Sequence, residues 1–157
     1  MQPITLGSFA VARDGALQPR RAGSHPALRF AWRGRACEAA LTGDAVQLAA
    51  IAARVPSTAE PGVDRPGAFA ELAALPRSLP SGWRLSLLPD HRIRLEACAP
   101  LEAPPTATAL ITLMVRFALA LDPYLDRLDS ACAGPCTAPW GATPWAASSG
   151  TAKTWPG

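Results

Sequence analysis

Apolar and polar residues alternate with a period of two over several stretches of this chain, the pattern of strands with one buried face. Leu28, Phe30 and Trp32 alternate with Arg29, Ala31 and Arg33, Gly34 allows a turn, and Cys37, Ala39 and Leu41 resume the alternation with Glu38 pointing the other way. Trp83, Leu85 and Leu87 alternate with Arg84 and Ser86, Pro89-Asp90 turns the chain, and Ile93, Leu95 and Ala97 alternate with Arg92, Arg94 and Glu96. These two segments predict two hairpins. Ile4, Leu6, Phe9 and Val11, placed around Gly7 and followed by Asp14-Gly15, predict a further hairpin over Ile4–Arg20.

Elsewhere the period changes. Phe69, Leu72, Ala73 and Leu75 give one apolar helical face after Pro66, with Pro76 or Pro80 as the stop. Ser57 and Glu60 have the spacing of a capping box, but Pro61 and Gly62 follow at once and argue against a helix there. The longest periodic element follows Pro104-Pro105. Thr106 or Thr108 can open it, and Leu110, Leu113, Met114, Phe117, Leu121, Leu125 and Leu128 form a continuous stripe. Pro123 predicts a kink or restart, with Asp122 capping the new turn. Ile111, Val115 and Leu119 form a second apolar set, more than one covered sheet face requires. They predict contact with the short helix or with a second copy of the chain.

Ala45–Val55 reads two ways. Leu48, Ile51, Ala52 and Val55 have helical spacing, alanine favours helix, and Asp44 stands at the N-cap. Read as a strand, Val46, Leu48, Ala50 and Ala52 share a face. The order of elements decides between the two readings. The segment Val46-Gln47-Leu48-Ala49-Ala50-Ile51-Ala52-Ala53-Arg54-Val55-Pro56-Ser57-Thr58, then a short helix, the hairpin Trp83–Leu88 with Arg92–Cys98, and a long helix after Pro105, resembles the type III secretion chaperone-like fold, which includes the YbjN-like proteins. The resemblance covers roughly residues 27–129. It implies a strand at Val46–Val55 and a chaperone-like, partner-binding role. Two features depart from it: such proteins usually begin with a helix, and the chaperones tend to be acidic. The expected architecture is α+β: an antiparallel sheet of two hairpins plus a middle strand, packed on a long C-terminal helix and one short helix. Residues 1–130 form the expected domain. Residues 131–157 hold one charge, three of the five tryptophans and no period, and read as a disordered tail.

Composition adds little to this picture. At 157 residues the chain is long enough for a real core, and its formal charge is +3. Fourteen of fifteen basic residues are arginine, so planar contacts to anions are available. Arg29, Arg33, Arg92 and Arg94 fall on comparable strand faces and form a candidate anion-binding surface. The small net charge makes nucleic acid an unfavoured partner, and Trp32 alternates with the arginines as a core anchor. Glu38 and Glu96 on the same faces suit cross-strand ion pairs better than acid–base chemistry. His25 and His91 lie in turns, without a nucleophile beside them in sequence. Cys132 and Cys136 are a lone pair with no second ligand pair, which argues against zinc. Cys37 and Cys98 lie in apolar strand contexts and read as small buried hydrophobes.

No nucleotide, hydrolase or zinc-protease motif occurs. The sequence therefore predicts no catalytic residue, no cofactor and no metal. The N-terminus shows no signal pattern, and Ala107–Leu121 is shorter than a membrane span, so a cytoplasmic protein is expected. The expected role is non-enzymatic: a protein-binding, adaptor or chaperone-like protein that holds a peptide or a partner by sheet edges or by its apolar helix, with a homodimer through Ile111, Val115 and Leu119. The alternative is a small nucleic-acid or anion binder using the arginine face.

Overall fold

The computed structural model describes residues 4–22 and 25–132. The alternating segments pair as expected: β4 (Ala27–Trp32) with β5 (Arg35–Thr42), and β7 (Trp83–Leu87) with β8 (Arg92–Pro100). Between them lies β6 (Ala45–Arg54), which completes a five-stranded antiparallel sheet of order β4-β5-β6-β8-β7. Local propensity at β6 loses to its surroundings. As the central strand it has a paired neighbour on both sides, so its backbone groups are satisfied along nearly its whole length.

The register sorts the sheet into two faces. Leu28, Ala39, Leu48 and Ala97 align across neighbouring strands, and so do Phe30, Cys37, Ala50 and Leu95; these rows face the core. A bulge between Ile51 and Ala53 then shifts the pattern, so that Ala53 rather than Ala52 pairs with Ile93.

The core is closed by α2 (Ala107–Ala131), which buries Leu110, Met114, Phe117, Ala118, Leu121, Leu125 and Leu128. The Thr106 hydroxyl accepts the Ala109 N–H at 3.2 Å and caps the helix. The expected restart at Asp122-Pro123 does not occur; one helix runs through Pro123 to Ala131. The carbonyl deprived of its partner by Pro123 belongs to Leu119, on the exposed side where water can serve it.

The short helix α1 (Arg65–Ala74) starts one residue earlier than Pro66, with the Asp64 carboxylate accepting the Gly67 N–H at 2.9 Å. Its buried face is Ala68 and Leu72, continued by Leu75 in a 3₁₀ turn over Leu75–Ser78. Phe69 and Ala73, expected inward, point outward, and the Arg65 guanidinium lies 5.3 Å above the Phe69 ring.

At the N-terminus the expected hairpin is a three-stranded meander: β1 (Ile4–Leu6), β2 (Phe9–Val11) and β3 (Leu17–Pro19). The extra strand exists because Gly7, at φ +57°, turns the chain between Leu6 and Phe9. Phe9 and Leu17 join the same core as α2. Leu17 N–H bonds the Pro105 carbonyl at 2.8 Å and Ala107 N–H bonds the Gly15 carbonyl at 2.9 Å, so the meander braces the entry to α2. Of the tail expected over residues 131–157, Ala131 is instead the last residue of α2 and Cys132 is its buried C-cap, and the rest lies outside the described residues.

Candidate functional site

On α2 the residues at i, i+4 and i+8 from Ile111 stack on one side of the helix. Ile111, Val115 and Leu119 are 45%, 51% and 56% exposed, although the rest of the helix's large apolar residues are buried or partly buried against the core. The short helix does not cover them. It packs on the opposite flank, where the Tyr124 hydroxyl donates to the Ser78 carbonyl (2.8 Å) and Arg127 reaches Glu71 (2.6 Å). Thr108, Thr112 and Arg116 are the exposed residues around the row. The result is a rigid apolar ridge about 12 Å long, from eight residues at the helical rise.

The side chains beyond the ridge are held by a clamp that sequence reasoning missed. The β4–β5 turn places Arg33 at φ 48° and turns its side chain toward α2. Trp32 Nε1 donates to Asp122 at 2.8 Å, Arg33 pairs with Asp126 at 2.7 Å and reaches Asp122 at 3.4 Å, and Arg35 pairs with Asp129. Arg35 is itself buried and also donates to the carbonyls of Ala52 (3.3 Å) and Arg33 (2.8 Å). The hydrogen bond to Asp126 is the main reason the Arg33 pKa is raised. The three aspartates recur at i, i+4 and i+7, one face of a helix, and that spacing was the available signal. Asp122 is thus an acceptor for Trp32 and Arg33, not the cap expected from Pro123.

The outer face of the sheet holds Arg29, Arg92 and Arg94, but not Arg33, which the turn carries to the helix side. Arg29 pairs with Glu38 at 3.1 Å, Arg92 with Asp90 at 2.6 Å, and Arg94 with Glu96 at 2.5 Å. Glu38, Ala49 and Glu96 stand opposite one another across three strands, with Arg29 and Arg84 outside them. In this row Glu38 and Ala49 are buried. Each arginine of the candidate anion surface therefore meets a carboxylate. The cross-strand pairing read from Glu38 is formed with Arg29, whereas Glu96 pairs with Arg94 of its own strand and has Arg84 only as its register neighbour.

The remaining candidates do not converge. His25 and His91 are exposed, and His91 sits at φ 65° in the β7–β8 turn. Burial pushes the Cys37 thiol up to about 12 and also raises Cys132, so neither is a poised thiolate. Cys98, expected to be buried, is exposed because it lies on the outer face, past the end of β7. Among the described residues no group of three or more His, Cys, Asp or Glu is placed to hold a metal ion. An open depression near the end of α2 is lined by Gly62, Gly67, Glu71, Ser130 and Cys132. By length and composition α2 is sufficient to cross a membrane, so the sequence argument from a short apolar run does not hold; a helix that closes a folded core meets the same test.

No protein-family model matches this chain, and neither does any curated protein.

Proposed function

We propose that this is a non-enzymatic protein-binding module whose interaction surface is the outward ridge of α2. The observation that carries the reading is the exposure of Ile111, Val115 and Leu119 together on a helix whose opposite stripe is firmly packed. A convex row at four-residue spacing is the shape that packs against a second helix, so the occupant is the apolar face of a helix in a protein partner. Burying the exposed half of each side chain contributes about 1 kcal/mol per residue. Three residues against three give roughly 6 kcal/mol, comparable to the lower range of association costs. The contact is therefore weak and reversible, in keeping with an adaptor. The element order over residues 27–129 supports the chaperone-like reading, while the N-terminal meander departs from it.

The test compares proteins retained from the native host by the wild type, by Val115→Glu and by Arg84→Glu. A partner kept by the wild type and Arg84→Glu but lost by Val115→Glu supports the ridge. Identical retained sets for all three, with unchanged melting curves, refute it.

A further inference from the structure

We draw no further inference here: the strongest candidate, the open outer edge of strand β7 on which Leu87 is exposed, is a bare strand edge, and nothing in the structure shows what covers it.

Discussion

Replacing Asp129 by alanine removes the one carboxylate bound to Arg35, whose side chain is 4% exposed. The guanidinium keeps the carbonyls of Ala52 and Arg33 as acceptors but loses its charge partner. Breaking a buried pair from one side costs about 3–5 kcal/mol because the other charge stays buried. Asp129 is itself 33% exposed, so water relieves part of that, and about 2–3 kcal/mol is the expected loss. Arg35→Met removes the buried charge but leaves the Ala52 carbonyl, freed by the bulge, without its donor; an unsatisfied buried acceptor costs about 1–3 kcal/mol. Once Arg35 is methionine, Asp129 has no buried charge to serve. Arg35→Met with Asp129→Ala should therefore cost about as much as Arg35→Met alone, a coupling of roughly 2 kcal/mol. Urea unfolding followed by circular dichroism measures all three variants, and Asp129→Ala should lower Tm by about 10 °C. Additive losses, or an Asp129→Ala loss below about 0.5 kcal/mol, would refute the clamp as an electrostatic unit.

Four further outcomes are expected. Val115→Glu should leave the monomer's stability within about 0.5 kcal/mol, whereas Leu121→Ala on the buried stripe should cost about 2–5 kcal/mol in the same unfolding experiment. Thr106→Ala, which removes the cap of α2, should cost about 1 kcal/mol, with Thr106→Ser restoring most of it. Gly7→Ala should destabilise by about 1 kcal/mol or more in thermal melts, because φ is +57° and the new Cβ would lie 2.9 Å from Leu28 Cδ1. The Cys37 thiol, normally titrating at 9.0, ionises in the unfolded chain before the folded one does. Its contribution is complete below pH 9 and is lost as pH rises toward about 12, so stability should fall across that window less steeply in Cys37→Ala than in the wild type.

The hairpins β4–β5 and β7–β8 were legible because one face of each is buried, and burial on one side writes a period of two into the residues. The helix α2 was legible for the same reason at a period of 3.6, and the exposure of Ile111, Val115 and Leu119 followed from there being too many apolar residues for one contact. The strand β6 was not legible from its own residues. Both its faces are lined by alanine and other apolar side chains, so the alternation is faint, and only the order of neighbouring elements indicated a strand. Phe69 misled because an aromatic residue can lie outward under a cation, and Ala68, too small to weigh in the pattern, packs in its place. The clamp was hidden because Arg33 and Asp126 are far apart in sequence, and because the left-handed turn at Arg33 reverses the face that strand parity assigns to it.

The central place of β6 in the sheet also sets the order in which the protein can be made. During synthesis its first partner, β5, is already complete, but its second, β8, begins 38 residues after β6 ends. Until residue 100 has left the ribosome, six consecutive nearly water-excluded positions, Leu48–Ala53, form an unpaired edge without the helix that later covers them.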